Sequence, residues 1–292
     1  MDLEKMQAEM AKYQAEILKI QAKYANPTPA NIEKMQKEML ALNQKMTELS
    51  VQYASLAAGA ALSGGVNFDQ QDFGDDEDDE ETLQFIKEHP APKDKAKYLP
   101  LGALLLCTNG EPYETFAMMG EQDDWLEALE EGWGFESPDE GKKMLASLLK
   151  GRHEAKFGED YRKLKSGKTH KLDEDSVEGY NETLENLKED LPRLLPYAKK
   201  CETLLAWDLE RICYLSRIFV HLGWMSQADS FKWIEKAALK VKETFSKWEE
   251  YVASVLMGRA VAMGFGYQVI GAASELFEEK KAFLKKYPIS AL

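Results

Sequence analysis

The residues best placed to do chemistry are charged groups on an otherwise apolar stretch. Trp207, Asp208, Arg211 and Arg217 fall within one predicted helix, and Arg259 follows on a later one. Between Trp207 and Trp224 two helical stripes are apolar together, one through Tyr214, Ile218 and His221, the other through Ile212, Leu215, Phe219 and Leu222. A helix that is apolar nearly all round is buried. An unpaired charge there costs several kcal/mol, so each must find a partner. Asp208 and Arg211 are three residues apart and can pair along the helix. Arg217 lies about half a turn away from Asp208 and must look to another element; Glu249, Glu250 and the acidic surface near Asp123 are available. Such a cluster is either a network that specifies the fold or a ligand or catalytic site.

Other chemistries have little to work with. Gly167-Lys168-Thr169 ends like a phosphate-binding loop, but the glycine required five positions earlier is Arg162. The four histidines, His89, His153, His170 and His221, show no His-Glu-x-x-His spacing, so no metal or other cofactor is expected. There is no Gly-x-Ser-x-Gly nucleophile. Cys213, four residues before Arg217, is the one thiol with a cation in helical reach, and burial opposes its activation. Arg162, Lys163, Lys165, Lys168, His170 and Lys171 form a local basic patch, placed by its glycines in a loop over 158–172.

The elements that must position these residues are helices. Ser137-Pro138-Asp139-Glu140 reads as a capping box opening a helix to about Phe157 that stops at Gly158. Further helices are expected over 173–190, 193–223 with a break near Pro196, 227–245, 247–263 and 265–285, with Ser226 and Ser246 as caps. Residues 99–119, broken by Asn109-Gly110 and Pro112, fit either a short helix or a hairpin. The chain is therefore expected to be all-α: a multi-helix globular domain over 82–292 with a central buried helix, preceded by an N-terminal antiparallel hairpin over 1–62.

The hairpin rests on period. Leu3, Met6, Met10, Tyr13, Ile17, Ile20 and Tyr24 keep a strict three-four spacing, and Ile32, Met35, Met39, Leu42, Met46, Leu49 and Tyr53 repeat it after a turn at Pro27 and Pro29. That is the coiled-coil rhythm. Two helices leave such a seam open, and Met6, Met10, Met35, Met39 and Met46 make it soft and adaptable. A second copy of the hairpin, the globular domain or a protein partner is expected to cover it.

Between the two lies a glycine-containing acidic tether over 63–81. It holds nine carboxylates from Asp69 to Glu81, and removing them from the net charge of −14 leaves −5. An acidic chain is not a non-specific nucleic-acid binder. The apolar stretch Ala54–Leu62 is far shorter than the ~20 residues a membrane span requires. Three cysteines without a Cys-x-x-Cys pair and a start lacking a signal-peptide pattern point to the cytoplasm.

Ala206-Trp207-Asp208-x-x-Arg211-x5-Arg217, then Gly223-Trp224, Phe245-Ser246-Lys247-Trp248-Glu249 and Gly258-Arg259, resembles the bacterial domain-of-unknown-function family 1266. Trp133-Gly134-Phe135-Glu136-Ser137 and the helix after it look like that family's upstream segment. The resemblance covers about residues 99–265 and leaves out the hairpin and tether. Lys247 departs from it, a serine being usual before the tryptophan. The family implies an architecture and no activity. The expected function is a non-catalytic protein–protein interaction module, self-associating or partner-binding through the hairpin. Two alternatives stand beside it: an immunity-type protein neutralising a basic toxin, and an enzyme of unrecognised type centred on the Asp/Arg cluster.

Overall fold

The computed structural model describes residues 76–134, 137–277 and 283–292, with side chains from Glu80 on; of the first 75 residues only Lys12 and Lys23 are described, each helical. The chain divides into two compact units, Met1–Ala60 and Ala61–Leu292. The expected hairpin and its methionine seam, Met6, Met10, Met35, Met39 and Met46, lie outside the described residues, as does most of the acidic tether. Everything below concerns the second unit.

That unit is all-α, with no strand among the described residues. Its α-helices are α1 (Asp76–Glu88), α2 (Ala103–Thr108), α3 (Gln122–Trp133), α4 (Pro138–Leu149), α5 (Arg152–Lys165), α6 (Glu174–Glu189), α7 (Leu195–Lys200), α8 (Leu205–His221), α9 (Gln227–Thr244), α10 (Trp248–Met263), α11 (Tyr267–Leu276) and α12 (Phe283–Lys286). Short 3-10 turns cover Ala96–Tyr98 and Ile289–Ala291. α1 begins inside the acidic run, where carboxylates suit the positive end of a helix. Residues 99–119 form the short helix α2 and an irregular return after the Asn109-Gly110 turn; the hairpin alternative is excluded.

α8 and α10 carry the core. Every residue of α8 from Ala206 to Phe219 is buried, and α10 is buried from Tyr251 to Val261 with no apolar face preferred over another. α8 packs on α2, α4, α5, α9 and α10, while α10 also packs on α5, α6, α7 and α11. Their crossing is close because position 258 has no side chain: a Cβ on Gly258 would lie 2.4 Å from Cβ of Trp207.

The caps explain where the helices begin. Ser137 Oγ accepts from the Glu140 N–H at 3.5 Å and Ser226 Oγ from the Asp229 N–H at 3.1 Å, each closing the first turn of its helix. Ser246 is not a cap. α10 starts one residue later than that expectation, after Lys247, and the Ser246 N–H instead donates to Glu250 Oε2 at 2.8 Å. The largest departure is at Gly151. One helix from Pro138 to Phe157 was expected, but Gly151 adopts φ +78°, ending α4 and starting α5, which runs on through Gly158 to Lys165. Much of the expected basic loop is therefore helix. The break also exposes a fresh set of helix N-terminal N–H groups, and those build the site.

Candidate functional site

Asp208 sits in the first turn of α8 and is fully buried. Its carboxylate faces the start of α5. Oδ2 accepts from the His153 N–H at 2.9 Å and the Glu154 N–H at 3.2 Å, so Asp208 caps α5 from another helix. Oδ1 lies 2.6 Å from His153 Nδ1. The far side of that imidazole, Nε2, is 3.1 Å from Arg211 Nη1. A guanidinium is donor only, so Nε2 accepts and the ring proton is on Nδ1, donating to Asp208. His153 is therefore neutral. Burial lowers its pKa, with the Arg211 charge adding to that effect and the Asp208 hydrogen bond opposing it.

Arg211 completes the cluster. Its guanidinium stacks 4.0 Å from the Trp133 ring and 5.1 Å from the Trp207 ring. Burial lowers its pKa to about 9, which still leaves it charged at neutral pH. Asp208 and Arg211 were expected to pair directly; they are joined through His153 instead. A histidine–carboxylate dyad is the usual means of activating a nucleophile, but that use needs a free Nε2. Here Arg211 occupies it.

Glu154 returns the favour to α8. Its Oε2 accepts from the Leu204 N–H at 2.6 Å and from Thr203 Oγ1 at 2.9 Å, while Oε1 takes Arg162 at 2.7 Å. The carboxylate lies over Gly158, where a Cβ would sit 2.3 Å from Oε1. Ser254 of α10 supplies one more acceptor, to the Ala206 N–H at 3.2 Å. Thus α5 and α8 cap each other reciprocally.

The same device recurs two residues along, on the other side of α8. Glu210, fully buried, accepts from the N–H groups of Gly102 (2.9 Å), Leu104 (2.8 Å) and Leu105 (3.2 Å) at the start of α2, and from Tyr251 Oη at 2.5 Å. Gly102, at φ +86°, precedes α2 as Gly151 precedes α5. Burial pushes the Glu210 pKa up, and the bonds from Tyr251, Gly102 and Leu105 together with the Arg217 charge oppose it.

The remaining two candidates lie apart from the Asp208 cluster. Arg217 hydrogen-bonds no carboxylate, although the Glu210 charge acts on it through space. Its guanidinium donates to three backbone oxygens, Thr115 O at 3.1 Å, Leu99 O at 3.0 Å and Leu101 O at 2.9 Å. It clamps the irregular 99–115 segment to α8, because loop carbonyls at that depth have no water to bind. Glu249, expected as a possible partner, pairs with Arg193 at 2.9 Å. Arg259 donates to Gly264 O at 2.8 Å and lies flat against Gly266. Cys213 is sealed, and burial pushes its thiol far up, which removes it as a nucleophile.

Sequence reasoning missed His153, Glu154 and Glu210. Glu210 carried the same signal as Asp208, a charge on a helix apolar all round. His153 and Glu154 were signalled by Gly151 inside a helical pattern, where a glycine in the left-handed region begins a new helix.

The set Trp133, Trp207, Asp208, Arg211, Gly258 and Arg259 lies inside a match to the family described as "Protein of unknown function (DUF1266)", which spans residues 128–288. The chain belongs to the DUF1266 family. The matched region starts later than the resemblance in the sequence and extends further, running from the second half of α3 through α12. Every partner in the reciprocal cap falls within it. By contrast, α2 and the carbonyls held by Arg217 precede it. No curated protein and no solved structure matches the chain. No described helix is long and apolar enough to cross a membrane.

Proposed function

We propose that this DUF1266 protein is a non-catalytic protein–protein interaction module that self-associates or binds a partner through its N-terminal hairpin. The observation that supports a non-catalytic reading is the occupied Nε2 of His153. The one acid–base dyad in the described core has its basic nitrogen bonded to Arg211, and its carboxylate is engaged by the N-terminus of α5. The heptad seam supports the binding half, since an amphipathic helix pair with an open apolar edge needs a cover. Three free thiols fit a reducing, cytoplasmic setting.

The test uses the full chain with Met35→Glu and Met39→Glu together, which places charge in the seam. Light scattering gives the mass in solution, and affinity capture from the source cell gives any partner. The variant is expected to lose mass relative to the unaltered chain, or to lose a captured protein. Unchanged mass together with an unchanged set of captured proteins would refute the proposal.

A second reading, an enzyme centred on Trp207, Asp208 and Arg211, draws on the 2.6 Å contact between His153 and Asp208. It requires Arg211 to swing away from Nε2 when a substrate enters. Arg211→Lys then distinguishes the two. The enzyme reading expects a raised histidine pKa, from a freed ring, in a stable protein. The structural reading expects a less stable one.

A further inference from the structure

The strongest feature left unexplained is a cavity of about 760 Å³ at the C-terminal end of α8. Its volume falls in the ~300–1,000 Å³ range of small-molecule sites. Its walls come from the end of α1 and the turn after it, from residues 115–120, and from Arg217, Val220 and His221. Only the last three and Gln227 belong to the family-matched region. The cavity is therefore built jointly by the family core and by the segment in front of it.

The lining is mixed, its apolar part partly aromatic. Phe85, Phe116, Met118 and Val220 line it, and the Phe85 ring stacks 4.3 Å from that of His89. Against these walls stands one cation. Arg217 is fully buried; it hydrogen-bonds only neutral carbonyls, its guanidinium lies 4.8 Å from the Phe116 ring, and the Glu210 carboxylate acts on its charge through space without a hydrogen bond. Its Nε–H has no partner, and neither does Nε2 of His221 on the next turn. An unsatisfied buried donor on a cation is costly and calls for an explanation, a bound water or ligand among them. Glu81 and Glu88 also line the cavity, but both are exposed residues of α1. Charge therefore grades from solvated acids outside to a desolvated cation inside, where an electrostatic contact is strongest.

We infer that this cavity binds a small aromatic carboxylate. Its ring lies against Phe85, Phe116 and Met118, and its carboxylate meets the Nε–H of Arg217. A carboxylate matches a guanidinium in geometry as well as charge. This site is independent of the N-terminal hairpin, so either proposal can fail without the other.

The test is calorimetric titration of the full chain with 2-naphthoate and with its neutral counterpart 2-naphthalenemethanol. Naphthoate is expected to bind at one saturable site at least tenfold more tightly than the alcohol. Ala117→Trp, at a half-buried lining position, is expected to fill the cavity and weaken naphthoate at least tenfold, with circular dichroism and melting temperature unchanged. Arg217→Met tests the cation directly, but it also frees three carbonyls and can unfold the protein, in which case Ala117→Trp carries the test. Absence of naphthoate binding at millimolar concentration, equal affinity for the alcohol, or full affinity in a folded Ala117→Trp protein would each overturn the inference.

Discussion

His153 can hold both of its bonds only while it is neutral, because a second ring proton would point at the Arg211 guanidinium. Its folded-state pKa is held below the ordinary ~6.5 by burial. The sign follows. A base whose pKa is lowered by folding contributes stability above the unfolded value and loses it as pH falls. His153→Ala is therefore expected to cost about 1–3 kcal/mol at pH 7.5, by leaving Asp208 and Arg211 each short of a partner, and the gap to the unaltered protein should narrow at pH 5. Urea unfolding at the two values checks this. Glu111 runs the other way. It is buried with one backbone donor, the Met119 N–H at 2.9 Å, and desolvation raises its pKa to about 7. Its contribution is complete below the ordinary carboxylate range and is lost as pH rises through about 7. Glu111→Gln should accordingly stabilise the protein more at pH 8 than at pH 5. An equal effect at both would show that Glu111 does not change its protonation state between them and would contradict this.

The reciprocal cap between α5 and α8 ties the energies of single residues to the placement of elements. Each helix begins where a neighbour's carboxylate waits, so its start is set by tertiary contact as much as by local sequence. That explains which boundaries were legible. Ser137 and Ser226 carry their caps in adjacent residues, and those helices could be read directly. The start of α5 depends on Asp208, far along the chain, so local pattern carried the helix past Gly151. Ser246 failed for a related reason, since Glu250 serves its N–H and leaves the cap position to Lys247. Two glycines test this level. Gly151→Ala should cost about 1–2 kcal/mol, the strain of a left-handed residue with a Cβ, because the nearest side-chain atom stands 3.4 Å away and leaves room. Gly258→Ala should cost more, since its Cβ would meet Trp207 Cβ at 2.4 Å where α10 crosses α8. Comparable melting temperatures for the two variants would mean the crossing yields more easily than the geometry implies.

Across the second unit, burial of one central helix was legible from the run of apolar residues at Trp207–Trp224, and so was the demand that its charges be partnered; the equal burial of α10 was not. The partners were not. Trp207, Asp208 and Arg211 come together as a group, whereas Arg217 and Arg259 reach backbone oxygens, which sequence does not label as acceptors. The five candidate residues thus separate into three places, each holding a different pair of segments. In this arrangement the buried charges organise the helices around α8, and Asp208, fully buried, serves three partners in the family-matched cluster: two N–H groups of α5 and the His153 ring. The most direct test is urea unfolding of Asp208→Ala at neutral pH. Loss of about 3–5 kcal/mol, the range for removing one member of a buried charged network, with an unchanged dependence on urea, is the predicted result. A variant as stable as the unaltered protein would contradict the account, because Asp208 would then be free of structural duty and available for chemistry.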